Sequence, residues 1–394
     1  MSAEVKPGYK QTELGVIPED WDVRPLGQLV HAVEYGSSAK SSSSGKIPVL
    51  RMGNLQEGKI DWSDLVFTDN ESEIAKYLLN PGDVLFNRTN TIDLVGKAAI
   101  YKGTRPSIFA GYLIRIKEKK DQIDSRYLNY FLNSKFAKNY GLKVLSVAVG
   151  QANINGQKLK TYPVALPPTV DEQISIATAV SEMEEFISSL EQMIAKKRDI
   201  QQAVMQQLLT GQRRLPGFSG EWEVKRLGDV VEIKKGQLIT EKLASPGDIP
   251  VVAGGKKPAY FHSAANRSGK NITISASGAS AGYVAFFETP IFASDCSTIG
   301  ESDKYEILFV YYFLKSRQED IYKAQTGGAQ PHIHPADIYP LVVTWPDKAE
   351  QTAIATILSD MDSERAMLEA RRDKAKQLKV GMMQQLLSGS LRII

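Results

Sequence analysis

The chain has 394 residues, of which 42% are hydrophobic, and its 48 Lys and Arg against 45 Asp and Glu give a formal charge of +3. That length and apolar content suffice for two cores of ordinary size plus extended helices, and they exclude a disordered or collagen-like chain. Cys296 stands alone, the start Met1-Ser-Ala-Glu-Val-Lys-Pro-Gly8 has no apolar leader, and no apolar run approaches the ~18 residues of a membrane helix, so a reducing, cytoplasmic setting is expected.

Residues 1–167 read as a first globular domain that opens on Trp21-Asp-Val-Arg-Pro-Leu-Gly27. Strands are predicted at Ile47–Leu50, Gly82–Phe86, Lys97–Tyr101 and Tyr112–Ile116, divided by Gly, Asn and Pro, with a helix near Ser125–Ser134. Ser37–Gly45, rich in serine, is expected to be a flexible loop. Residues 168–214 carry apolar side chains at Val180, Met183, Ile187, Leu190, Ile194, Val204 and Leu208, a 3,4 spacing that predicts a long helix with a coiled-coil seam and a polar stretch at Lys197 and Gln201. The stretch begins after Pro168 and ends at Thr210-Gly211, ordinary helix punctuation.

Residues 215–345 read as a second globule that opens on Trp222-Glu-Val-Lys-Arg-Leu-Gly228. It repeats the order of the first, with strands at Asp248–Val251, Asn271–Ser275 and Tyr283–Phe287 and a helix through Val310–Lys315. Residues 346–394 give a second long helix, with Leu358, Met361, Leu368, Met382 and Leu386 in the register of the first and Arg365 and Arg372 where Ile187 and Ile194 stood. At a constant offset of 178, Glu172 and Gln173 match Glu350 and Gln351, and Met205-Gln-Gln-Leu-Leu209 matches Met383-Gln-Gln-Leu-Leu387.

A repeat of this length is a duplicated domain, since solenoid periods run only ~20–50 residues. The expected fold is α+β: two pseudo-repeated, strand-rich α/β domains separated by two long α-helices packed as an antiparallel coiled coil. The C-terminal tail should return to the entry of the first globule. The charge is uneven, with 22 Lys and Arg against 17 Asp and Glu in residues 1–168 and 13 against 14 in residues 215–346. A basic excess in the first globule permits a polyanionic partner and predicts the steeper salt dependence there.

Candidate catalytic patterns fail on context. Gly278-Ala-Ser280-Ala-Gly282 fits a nucleophile elbow, with Asp295 and His332 following in hydrolase order, but an elbow must lead into a helix and Tyr283–Phe287 reads as a strand. His332-Ile-His334 lacks a third ligand for a metal site. The pair Asp83 and Glu118, with Lys120 nearby, resembles a nuclease set only loosely. No phosphate loop or dinucleotide fingerprint is present.

What remains is a set of polar loops able to read base edges and hold phosphates. In the first globule these are Arg51 and Asn54; Asn87, Arg88, Thr89 and Asn90; Lys97; and Gln151, Asn153 and Asn155. In the second they are Lys256 and Lys257; Ser275, Ser277 and Ser280; and Gln330, His332 and His334.

The segment from Gly15-Val-Ile-Pro to Gly27, its echo from Trp222 to Gly228, and the paired Glu-Gln-x-x-Ile-Ala…Met-Gln-Gln-Leu-Leu-[Thr/Ser]-Gly helices resemble the specificity subunits of type I restriction-modification systems over almost the whole chain. The resemblance implies a non-catalytic subunit with two target recognition domains, each reading one half of a bipartite, asymmetric double-stranded DNA site. It implies that the two helices set the gap and dock two N6-adenine methyltransferase subunits, which restriction (helicase-nuclease) subunits join. S-adenosylmethionine, ATP and Mg2+ would be used by those partners, with no cofactor bound by this chain and no membrane involved. The alternatives are the recognition chain of another restriction or phage-exclusion methylation system, or a protein-binding scaffold without DNA contact.

Overall fold

The computed structural model describes residues 6–148, 150–328 and 330–393. Met1–Val5, read above as the chain start, lie outside the described residues. The chain divides into two compact units, Met1–Ser189 with Arg372–Ile394, and Leu190–Arg371.

In the first unit an antiparallel sheet runs in the order Ala98–Ile100, Val84–Asn87, Leu113–Glu118, Val30–Tyr35. Val84–Asn87 is buried along its whole length, which is why Val84, Leu85 and Phe86 are apolar in succession and do not alternate with polar residues. Beside it lies a three-stranded sheet in which Ile108–Phe109 pairs in parallel with Ile47–Leu50, itself antiparallel to Val66–Thr68. Asp124 and Ser134 cap the helices Ser125–Leu132 and Lys135–Val144 by accepting backbone N–H groups of the first turn. Trp21, Leu26, Phe86, Tyr127, Phe131 and Tyr162 form the core.

The second unit repeats the plan. Its sheet order is Lys234–Lys235, Cys296–Gly300, Asn271–Ser275, Val284–Phe287, and Phe292–Ala293 again lies parallel to Ile249–Val252. The shared detail extends to a glycine. Gly36 and Gly236 leave their strands at the same place, and a Cβ there would lie 2.3 Å from the Phe109 carbonyl or 2.1 Å from that of Ser294. Only glycine allows so close a backbone approach.

The long helices are Val170–Leu209 and Lys348–Leu387, 40 residues each. Each starts at a cap, Thr169 Oγ1 accepting Glu172 N at 3.2 Å and Asp347 Oδ1 accepting Glu350 N at 2.8 Å. Each is followed by a glycine in the left-handed region, Gly211 at φ +72° and Gly389 at +68°, the usual helix stop. Within each unit the helix segments run antiparallel. In the first, Lys379 Nζ sits 2.6 Å from Glu184; in the second, Gln201 donates to Asp362 at 3.0 Å and Lys197 meets Glu364 at 2.6 Å. At the offset of 178 the pair Glu184/Lys379 is the pair Asp362/Gln201 with the helices exchanged.

Two expectations need correction. The seam is not purely a contact between helices: Val180 and Leu386 belong to the first unit's core, and Leu208 and Leu358 pack with Phe309 and Tyr312 in the second. The helix ends therefore close their globules as well as each other. Ile187 and Leu190 are buried, while Met183, Ile194, Val204, Met361, Leu368 and Met382 are half-buried. The serine-rich loop is also anchored, since Ser42 exchanges backbone bonds with Phe67 at 2.9 and 2.8 Å and the Ser37 hydroxyl donates to Glu73. Among the described residues no helix is long and apolar enough to cross a membrane.

Candidate nucleic-acid interface

In both units the candidate loops converge at one end of the main sheet. In the first, the chain continues past the buried strand to Thr89–Asn90, which pairs with Gln151–Asn153 so that Thr89 faces Asn153; their side chains bond at 2.7 Å, and Ile154 N donates to Arg88 O at 2.8 Å. In the second, Ser277 faces His332, and Ile333 N donates to Ala276 O at 2.9 Å. The following residue begins a short helix in each case: Asn155 accepts Lys158 N, and His334 N donates to Asp337. Gly96 N bonds Asn87 O as Gly282 N bonds Ser275 O. Arg88 thus corresponds to Ala276, Thr89 to Ser277, Asn153 to His332 and Asn155 to His334.

The side chains differ where the backbones agree. Arg88 lies over the Tyr35 ring at 5.0 Å and donates its Nε to Gly111 O at 2.9 Å. Among the described residues its two terminal nitrogens have no partner, so the guanidinium presents its fork, the geometry that pairs with guanine or phosphate. Tyr35 holds the arginine, and its hydroxyl accepts Gly156 N at 2.8 Å. Asn90 touches Met52, and Lys97 donates to Gln56 at 3.0 Å. In the second unit the Ser277 hydroxyl donates to Asp295. Lys256, Lys257, Gln330 and His334 are exposed, and Ser280 is half-buried.

Three predicted residues turn inward. Asn54, 3% exposed, accepts Arg51 N and donates to the carbonyls of Asp61 and Asp64. Asn87 is fully buried and donates to Leu94 O, and Ser275 donates to Gly254 O at 2.7 Å. Arg51 is paired with Asp64 at 2.9 Å. Asn54, Asn87 and Ser275 shape the loops and offer no edge to a ligand, whereas the Arg51 side chain stays partly exposed. Nothing in the linear sequence separates a loop-forming asparagine from a presenting one, because the difference is the direction of its hydrogen bonds. Tyr35 and Asp295 were missed as supports for the same reason.

The catalytic decoys dissolve in the geometry. The turn Gly278–Ser280 leads into the strand Val284–Phe287 and not into the helix a nucleophile elbow requires. The His332 and His334 rings lie parallel at 6.4 Å, and no group of three metal-ligand side chains occurs among the described residues. Asp83 is held by Asn80 N and Arg115. Burial pushes the Cys296 thiol up to about 12.

The type I restriction modification DNA specificity domain matches residues 18–198 and 219–377. The chain belongs to that family. A putative type I restriction enzyme MjaX specificity subunit of Methanocaldococcus jannaschii is 26% identical over 98% of this chain and 97% of its own length. The EcoKI specificity subunit of Escherichia coli is 26% identical over 58% of this chain and 49% of its own. The crystal structure of a type I S subunit from M. genitalium has the same fold, with a TM-score of 0.64 at 16% identity over 93% of this chain and 96% of that one. That of an HsdS subunit from Thermoanaerobacter tengcongensis scores 0.53 at 18% identity over 95% and 98%. The chain is therefore a DNA-recognition subunit of a type I restriction-modification system, conferring specificity on the methyltransferase and endonuclease complex without catalysis of its own.

Proposed function

We propose that each unit of this specificity subunit reads one half of a bipartite, asymmetric duplex site through the loops at the end of its main sheet. The observation that carries this is the matching backbone pairing in the two units, which sets Thr89 opposite Asn153 in one and Ser277 opposite His332 in the other, with Arg88 in the first where Ala276 stands in the second. Equivalent backbone pairings with different side chains are what two readers of different sequences require. Arg88, with its free fork, reads guanine or holds a phosphate, and Asn90, Gln151 and Gln330 supply amide edges.

The two long helices set the gap between half-sites and dock two N6-adenine methyltransferase subunits, with restriction subunits joining them. A 40-residue helix spans about 60 Å, which suffices to hold two readers one duplex turn, ~34 Å, or more apart. S-adenosylmethionine, ATP and Mg2+ belong to the partners, and the assembly works in the cytoplasm. Co-expression with a methyltransferase subunit in a methylation-free host, followed by mapping of N6-methyladenine, should give a bipartite motif of fixed gap. Replacing residues 1–167 by those of a relative should change one half-site alone; a change in both refutes the modular division.

A further inference from the structure

In the second unit two lysines converge on one tyrosine. Lys256 Nζ lies 5.5 Å and Lys315 Nζ 5.0 Å from the centre of the Tyr283 ring. Neither ammonium has a carboxylate within ion-pair distance among the described residues, and the Tyr283 hydroxyl has no hydrogen-bond partner there. The carboxylate nearest in effect to Lys315, Asp362, is already bonded by Tyr312, Gln201 and Arg365. Burial, opposed by Asp362 but reinforced by Arg365 and Lys256, lowers the Lys315 pKa from its ordinary value. Two ammonium groups over one ring, each without a carboxylate partner, favour an anion beside them.

The frame beneath them is rigid. Gln318 donates to Gly282 O at 2.7 Å and accepts Val284 N at 3.1 Å, and Gln325 donates to Ala281 O at 2.8 Å. The segment carrying Tyr283 is thus pinned on both sides.

The first unit lacks this arrangement. Asp124 N donates to Gln173 Oε1 as Glu306 N donates to Gln351 Oε1, so Asn133 stands where Lys315 does. Asn133 is spent on Ala98, accepting its N–H and donating to its carbonyl at 3.0 Å. Lys97 replaces Tyr283 and bonds Gln56. A hairpin, Leu55–Gln56 with Lys59–Ile60, covers the place, with Gly58 bridging Ala99 and bonded by Asn129. In the second unit the chain between Val252 and Tyr260 forms no such hairpin, and Tyr283 and Lys315 are half-buried.

We propose that Lys256, Tyr283 and Lys315 form a phosphodiester subsite of the second unit, holding the DNA strand alongside the bases that its loops read. The inference rests on the half-site reading above. The occupant is nucleic acid because the subsite is continuous with the loop that carries Ser277 and Asp295. A Cβ on Gly254, two residues before Lys256, would lie 3.2 Å from Asp295 Oδ2, and Tyr283 N bonds Ser280 O at 2.9 Å. Two ammonium groups and a phenol are phosphate donors that carry no base preference.

The test uses the full chain assembled with its methyltransferase subunits and fluorescent duplexes with and without the methylated motif, titrated across salt. The double variant K256Q/K315Q should lower the slope of log K against log salt by about 2, at ~0.9 per lost phosphate contact. Affinity near 0.15 M salt should fall roughly tenfold for both duplexes, while the methylated motif stays the same. K256R/K315R should restore the slope, and Y283F should weaken binding without altering the motif, with thermal unfolding checking that each variant folds. An unchanged slope in a complex that binds duplex normally overturns the subsite and leaves half-site reading intact. A changed second half-site overturns it in favour of base contact. A wild-type complex that binds no duplex overturns both.

Discussion

Each unit is closed by the tail of a long helix, and the two closures differ in burial. In the second, Arg214 reaches Glu350 through two bonds of 2.7 Å, Trp222 Nε1 adds a third at 2.9 Å, and Glu350 is 1% exposed. In the first, Arg392 takes Glu172 at 2.6 and 2.9 Å and shares Asp20, Glu172 retains 12% side-chain exposure, and the Trp21 indole N–H is unbonded. Glu350→Gln keeps shape but removes the charge on which three donors converge, two of them a bidentate fork. A net bond to a charged group is worth about 1.5–3 kcal/mol, and the Gln amide can still accept one donor, so a loss of about 2 kcal/mol is expected, roughly thirtyfold in the unfolding constant. At a slope of ~2 kcal/mol per molar urea this lowers the midpoint by about 1 M. Glu172→Gln should cost about 1 kcal/mol, because water already reaches that carboxylate. Urea titrations on a W21F/W62F background leave Trp222 and Trp345, both in the second unit, as reporters, and W222F/W345F isolates the first. Equal shifts for the two variants, or a Glu350→Gln shift below ~0.5 kcal/mol, would refute the view that burial sets the strength of the closure.

Gly36→Ala and Gly236→Ala force a Cβ against backbone carbonyls at 2.3 and 2.1 Å; each should destabilise its unit by about 2–3 kcal/mol and abolish methylation that depends on its own half-site, as paired methylome maps would check. Burial opposes the Glu34 charge, but bonds from Lys117 and Arg115 outweigh it and hold the carboxyl below its ordinary 4.5. The folded pKa being the lower one, that stabilisation is complete above the ordinary value and is lost as pH falls through the folded one. Glu34→Gln should therefore flatten the acid side of the stability profile below about pH 5, and an unaltered acid limb would count against the pairing. Four residues inserted between 190 and 205, about one helical turn, should lengthen the gap in the methylated motif and leave both half-sites as they were; an unchanged gap argues against the helices as spacers.

The fold was legible where the sequence repeats itself. Helix starts at Thr169 and Asp347 follow from the prolines just before them, and the stops follow from Gly211 and Gly389. The strands Ile47–Leu50 and Asn271–Ser275 stand where runs of apolar, β-branched residues put them. The anchoring of the serine-rich loop was hidden, because its ties run through the backbone of Ser42 and Phe67. So was the double service of Val180 and Leu386, since a 3,4 spacing says that a face is covered but not by what.

The site was legible as places and illegible as roles. Thr89, Asn153, Ser277 and His332 fall at matching points because duplication preserved the backbone bonds that define those points, and such bonds need no particular side chain. Asn54 and Ser275 entered the same set by composition and proved to be struts. The feature that separates them is whether a donor points into the loop or out of it, and that depends on carbonyls far along the chain. Tyr283 and Lys315 show the converse. The hairpin that covers their counterparts in the first unit is missing in the second, so the residue just before a strand and a residue of a helix come together half-buried. Divergence between the copies therefore lies less in which polar residues a loop carries than in which parts of the common frame its insertions leave bare.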